Sequence, residues 1–221
     1  VLEAECVAVS GKGKVSWTGS LGDVMTESCR IAHSLLRSSA ETFGISEAAL
    51  ASQDLHVHFP AGAVRKDGPS AGMTIAAAML GRLTGRKMRP RTAMSGEITL
   101  TGEILPVGGL REKVLAAKRQ GVKRVVLPAQ NRPDVEILDP AWTRGLQFHW
   151  VKTFEEFTIS NFADRFDGFS GQSFEISGER PASRETRVVE TILTRPGDES
   201  VELDYRMRST AGAWRVVDIY S

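Results

Sequence analysis

The chain has 221 residues, 41% apolar and 25% charged, with a formal net charge of +1, a composition suited to one large or two small globular domains. That charge balance excludes a nucleic-acid footprint and a polybasic membrane patch, and no apolar run reaches the roughly 18–20 residues of a membrane-spanning helix. The two cysteines, Cys6 and Cys29, are too few for a disulfide scaffold and lack metal-site spacing, so they read as buried thiols of a reducing compartment.

Residues 1–5 carry neither the basic nor the apolar region of a signal peptide, and the strand-like opening reads as a domain cut from a longer chain. Residues 3–9 predict a strand, and 15–18 its hairpin partner across the turn Ser10-Gly11-Lys12-Gly13-Lys14. That turn lacks the four-residue gap and the Lys-Ser/Thr ending of a phosphate-binding loop. Ser20 then reads as the cap of a long helix to Phe43, stopped by Gly44, with Leu21, Val24, Met25, Ser28, Ile31, Ala32, Leu35 and Leu36 on one face. Residues 53–59 predict a strand whose alternation puts His56 and His58 on one face. A His-x-His pair can ligate zinc, but no third ligand lies near in sequence, so a polar groove lining or a solvated face is the reading.

The stretch Lys66-Asp67-Gly68-Pro69-Ser70-Ala71-Gly72 turns sharply into a small-residue helix that ends between Gly81 and Gly85. Residues 92–100 predict a strand, 110–120 a helix closed by Gly121, 123–127 a short buried strand, 128–138 a loop and small helix, and 147–151 a further strand. This alternation predicts an α/β domain. The texture changes near residues 153–160: no lysine follows Lys152, and 186–194, 201–208 and 213–220 read as an antiparallel β-meander.

Two side chains carry possible chemistry. Ser70 stands at a helix N-terminus beside backbone N–H groups without intrahelical partners, the place for a nucleophile, but also where serine commonly serves as a cap. Lys113 lies next to the Leu110, Val114, Ala117 stripe of its helix. It is either a snorkelling surface lysine or an inward amine that acts as base for a serine hydroxyl.

Residues 1 to about 155 resemble the proteolytic domain of Lon-type ATP-dependent proteases. The resemblance runs through Gly11-Lys12-Gly13-Lys14, Thr18-Gly19-Ser20-Leu21-Gly22, His56-Val57-His58, the Ser70 stretch, Ser95-Gly96-Glu97-Ile98-Thr99-Leu100, and residues 105–113. It implies a Lon-like α/β domain and a serine endopeptidase with Ser70 as nucleophile and Lys113 as base. It implies protein quality control in the cytoplasm by a hexameric ring that cuts unfolded or damaged polypeptides. Ser95 stands where that family usually has Thr, a hydroxyl expected to bond the lysine amine; Ala61 and Arg65 stand where Glu and Pro are common. His56, His58 and Asp67 are supporting candidates, and Asp67 reads equally as a loop organiser or a turn residue. The chain has no Walker motif, so no cofactor is expected here and ATP–Mg belongs to an ATPase module outside this sequence; the cysteine and histidine spacing and the charge balance lead to no expected metal or nucleic acid.

The remainder, 156–221, forms the second, incomplete α+β part. Residues 157–175, with Asn161-Phe162-Ala163 and Phe166-Asp167-Gly168-Phe169-Ser170-Gly171, together with 201–208 and 214–221, resemble the toluene-tolerance or Mla-type phospholipid-shuttle proteins. That resemblance implies a periplasmic setting and a lipid partner for the tail. The alternative function is then a lipid-binding or fusion module for which the Lon-like domain is a scaffold.

Overall fold

The computed structural model describes residues 1–162, 173–183, 186–194, 201–210 and 213–220, and the chain divides into two compact units, Val1–Asp164 and Arg165–Ser221. The first unit runs past the boundary expected at residue 155.

In the first unit, β1 (Glu5–Ser10), β2 (Val15–Thr18) and β3 (Gln53–His58) form a sheet with β3 in the middle, antiparallel to β1 and parallel to β2. The expected β1–β2 hairpin is therefore not formed. The reason is Asp54 of β3, whose carboxylate accepts the N–H groups of Lys12 and Lys14 at 2.7 and 2.8 Å. Those two bonds hold its pKa below the ordinary carboxylate value and clamp the connecting turn to the central strand.

The long helix expected from Ser20 to Phe43 is two helices, α1 (Asp23–Ser38) and α2 (Ala40–Phe43), with Gly44 left-handed at the end. Ser20 does not cap α1: it sits in the left-handed region at φ 59°, and the cap position is Gly22, whose side chain offers nothing. Asp67 supplies the missing acceptor from a distant loop, taking the Met25 N–H at 3.1 Å. Met25, Ser28, Ala32, Leu35 and Leu36 are buried as the periodicity predicts, Cys29 is buried beside them, and Val24 is exposed. A short helix absent from the sequence reading, α3 (Glu47–Ser52), precedes β3 and is capped by Ser46.

A 3₁₀ turn (Pro69–Ala71) leads into α4 (Gly72–Thr84). Gly72, Met73, Ile75, Ala76, Ala77, Met79 and Leu80 are all buried, so this helix is the centre of the unit, as its small-residue, near all-round apolar sequence demands. The strand expected over 92–100 is broken into β4 (Thr92–Met94) and β5 (Glu97–Ile98), the latter paired with β6 (Ile104–Leu105). Then come α5 (Leu110–Arg119), β7 (Arg124–Pro128), α6 (Arg132–Glu136), α7 (Pro140–Thr143), β8 (Gln147–Val151) and α8 (Phe154–Asn161). β4, β7 and β8 make a parallel sheet with β7 central, and Val125, Val126 and Leu127 are buried on both its faces. One face, through Val126 and Val151, joins the main core of α1, α4 and α8; the other, through Val125 and Leu127, packs on Leu110 and Ala117 of α5 and Val135 of α6.

The second unit contains β9 (Ser173–Ser183), β10 (Thr186–Thr194), β11 (Val201–Thr210) and β12 (Ala213–Tyr220), an antiparallel meander in sequence order. Arg180 bridges Glu190 at 2.8 Å and Asp204 at 3.0 Å, tying β9 to β10 and β11, and Arg187 pairs with Glu179. The motif residues 163 and 166–171 lie outside the described residues.

Candidate active site

Ser70 sits inside the 3₁₀ turn, and two glycines let the chain pack tightly there. A Cβ on Gly72 would stand 2.8 Å from Ile98 Cγ2, and one on Gly96 would stand 2.7 Å from Ile104 Cγ2. Because both positions are bare, Gly96 donates its N–H to the Ser70 carbonyl at 3.0 Å and accepts the Met73 N–H at 3.0 Å. The break between β4 and β5 is thus the place where the strand turns to grip the start of α4. Gly68, at φ 118° and ψ 157°, occupies backbone space open essentially only to glycine and sets the direction from which the chain reaches Ser70.

Lys113 lies on the first turn of α5, and its Nζ donates to the carbonyl of Gly108 at 2.7 Å. Ser70 and Lys113 are both partly buried, and both line one cavity of about 380 Å³. The other walls are largely apolar, with Phe59, Met94, Ala117 and Leu127 among them, and the polar residues there are Thr74, Thr92, Ser95 and Glu112. Among the described residues no hydrogen bond joins Ser70 Oγ to Lys113 Nζ.

The supporting candidates separate. Ser95 is 7% exposed and does line the cavity, but its hydroxyl donates to the Ser70 carbonyl at 3.2 Å and not to the lysine amine. The expected Ser95–Lys113 bond is replaced because the Ser70 carbonyl, already bonded by Gly96, presents a fixed acceptor to this buried hydroxyl. Asp67 organises the loop: besides capping α1 it accepts the Gly68 N–H at 2.9 Å, and the Met25 and Gly68 donors hold its pKa below the ordinary carboxylate value. His56 and His58 are not among the cavity residues. Their rings converge instead on Thr18, whose Oγ1 is 2.9 Å from His56 Nε2 and 2.8 Å from His58 Nδ1. Among the described residues no group of three or more His, Cys, Asp or Glu converges as a metal site.

Sequence reasoning missed Lys66. It is 9% exposed, and its ammonium donates to three main-chain carbonyls in the approach to Ser70. Nothing in the spacing of residues 61–70 announces this, since the partners are backbone atoms. The cysteines offer no competing nucleophile, because burial pushes both thiols up to about 11 and keeps them protonated at neutral pH. Among the described residues no helix is long and apolar enough to cross a membrane.

Residues 1–163 match the family described as the Lon protease (S16) C-terminal proteolytic domain, and residues 143–221 match the family described as MlaC protein. The Lon protease of Koribacter versatilis is 48% identical over 157 residues, covering 71% of this chain and 19% of that protein. Those of Lachnoclostridium phytofermentans and Cytophaga hutchinsonii are 48% and 47% identical over 155 and 156 residues, covering 70% and 71% of this chain and 19% of each relative. The chain therefore spans about a fifth of the length of the curated relatives it matches.

Proposed function

The chain belongs, through residues 1–163, to the Lon protease (S16) C-terminal proteolytic domain family, and from that premise we propose that it is a serine endopeptidase with Ser70 as nucleophile and Lys113 as general base. The observation that carries this reading is that one mostly apolar cavity receives both Ser70, from just before α4, and Lys113, from the start of α5.

The chemistry is acyl transfer. The Lys113 amine leaves the Gly108 carbonyl and takes the proton of Ser70 Oγ as that oxygen attacks the peptide carbonyl carbon. Backbone N–H groups of the 3₁₀ turn receive the oxyanion, where one donor is worth about 3 kcal/mol. Collapse breaks the C–N bond, and the departing amine carries away the proton held on Lys113. A water then gives its proton to Lys113, attacks the ester, and releases the acid with Ser70 Oγ reprotonated. Ser95 and Gly96 serve by holding the Ser70 carbonyl, which fixes the main chain beneath the nucleophile. The substrates are polypeptides, the working form is a homo-oligomeric ring in the cytoplasm, and ATP–Mg acts on an ATPase module outside this sequence.

The test is labelling by a serine-directed acylating probe, with hydrolysis of a fluorogenic peptide by the unaltered chain, Ser70→Ala and Lys113→Arg. Labelling at Ser70, loss of hydrolysis in Ser70→Ala and a large drop in Lys113→Arg are expected. Equal rates in all three proteins would sink the assignment. The match of residues 143–221 to the MlaC family favours a second reading for the tail, a lipid-binding segment. Phospholipid co-purifying with the full chain, read by mass spectrometry, would support it, and lipid-free protein after gentle extraction would count against it.

A further inference from the structure

We propose that Lys66 is a positioning residue for Ser70, its ammonium acting as a fixed internal cation that holds the nucleophile's approach loop in register. The inference rests on the assignment of Ser70 as nucleophile and adds a residue to that site.

An ammonium has three N–H donors, and at Lys66 all three are used on backbone carbonyls: Gly19 at 2.8 Å, Ala61 at 2.8 Å and Val64 at 3.0 Å. The residue is 9% exposed, and among the described residues it forms no ion pair. A buried charge needs hydrogen-bonding partners, and the carbonyl dipoles that supply them here are drawn to one point by the ammonium. The carbonyls come from two separate segments, residues 61–64 of the loop and Gly19 beyond β2, so the ammonium both closes the loop and fastens it to its neighbour.

The main chain repeats the fastening. The Lys66 N–H donates to the Ser20 carbonyl at 3.0 Å, and the Lys66 carbonyl accepts the Gly22 N–H at 2.8 Å. Asp67 then takes the Met25 N–H. Residues 66 and 67 are thus fixed to segment 19–25, and only Gly68 and Pro69 separate that anchor from Ser70. Two non-glycine residues of this junction are left-handed, Ser20 at φ 59° and Ala61 at φ 65°. Such backbone persists only where its surroundings over-determine it, and the Ala61 carbonyl is one that the ammonium holds. Removing the charge leaves three carbonyls without this donor around a turn already biased to relax, and the displacement passes along two residues to Ser70. A shift of about 1 Å at a nucleophile is enough for a loss of order 100-fold in rate.

The experiment compares the full chain with Lys66→Met, which keeps an unbranched side chain one atom shorter and removes the charge, and with Lys66→Ala. Ser70 labelling by the acylating probe and peptide kcat and KM are measured where circular dichroism shows equal folded fractions. The expected result is a fall of about 10- to 100-fold in labelling rate and kcat for Lys66→Met, with KM within about twofold. Lys66→Ala should regain several-fold activity with millimolar methylammonium and none with methanol of the same size. Wild-type labelling rates in Lys66→Met, a loss that only tracks the unfolded fraction, or a failure of methylammonium to act would each overturn the inference while leaving Ser70 as nucleophile. An unaltered chain that is not labelled at Ser70 would overturn the catalytic assignment itself, and this inference with it.

Discussion

Asp67 joins the start of α1 to Gly68 of the loop before Ser70, and it does so as an anion. Its carboxylate accepts the Met25 and Gly68 N–H groups, and those bonds keep it ionised to a lower pH than a free aspartate. A carboxylate depressed in the folded chain contributes stability that is complete above the unfolded value of about 4 and is lost as pH falls through the lowered folded value. Asp67→Asn keeps the shape and removes the charge. The urea midpoint of the unaltered chain should therefore exceed that of Asp67→Asn at pH 6, and the gap should close as the pH is taken below 4. A gap that stays constant across that range would show that the charge contributes nothing. Asp67 also shows the limit of reading residues from sequence. A loop-organising role was legible, but its partner lies more than a helix away in sequence, and no spacing rule links a turn aspartate to a helix lacking its own cap. The long family motif led to Ser70 and Lys113, and both line one cavity; the Ser95 bond was not legible, because a hydroxyl near a carbonyl and an amine is decided by fractions of an ångström.

The break between β4 and β5 converts a strand into a clamp for the helix that follows Ser70. Residues 92–100 read as one continuous strand, yet beyond the bond from the Ser95 N–H to the Val126 carbonyl the chain turns, and Ser95 and Gly96 bond Ser70 and Met73. Local period-2 patterning identifies which residues are extended but carries no record of which strand they pair with. The same limit accounts for β1 and β2, which are correctly extended but divided by β3 because Asp54 clamps the turn between them. The clamp at Gly96 depends on the absence of a side chain. A methyl there would stand 2.7 Å from Ile104 Cγ2 and 3.4 Å from Met73 Cε, and Ile104 is fully buried. Gly96→Ala should cost about 1–3 kcal/mol of stability by overpacking, seen as a lower urea midpoint. Because the strain falls on the bonds that hold the Ser70 carbonyl, probe labelling of Ser70 should slow even where the variant is folded. Ser95→Ala, which empties space and leaves the Gly96 bond, should cost only about 0.5–1.5 kcal/mol. If Gly96→Ala proves no more disruptive than Ser95→Ala, the tight approach is not what fixes the turn.

At the scale of the whole chain, composition signalled a change of texture near residue 157 but not where the first core closes. α8 closes it. Phe154 stacks on Phe157 and meets Phe43 edge-on, and Phe157 meets Phe162 edge-on; Phe154 and Phe157 are fully buried and Phe162 is 7% exposed. Apolar residues in α8 look like the opening of a second domain when read along the chain, because nothing local reveals that they pack back on a helix ending at Phe43. The family match to residues 1–163 and the compact unit Val1–Asp164 both extend past these rings. A chain ended after residue 164 should therefore unfold in one cooperative transition and keep its Ser70 labelling. A chain ended after residue 155 loses Phe157 and Phe162 from the core, and removing one buried phenylalanine ring costs about 3–5 kcal/mol. For a domain of this size that corresponds to a fall in Tm of roughly 10 °C or more. Thermal unfolding followed by circular dichroism on the two shortened chains decides the point, since equal Tm values would mean that α8 is not part of the core that holds the site.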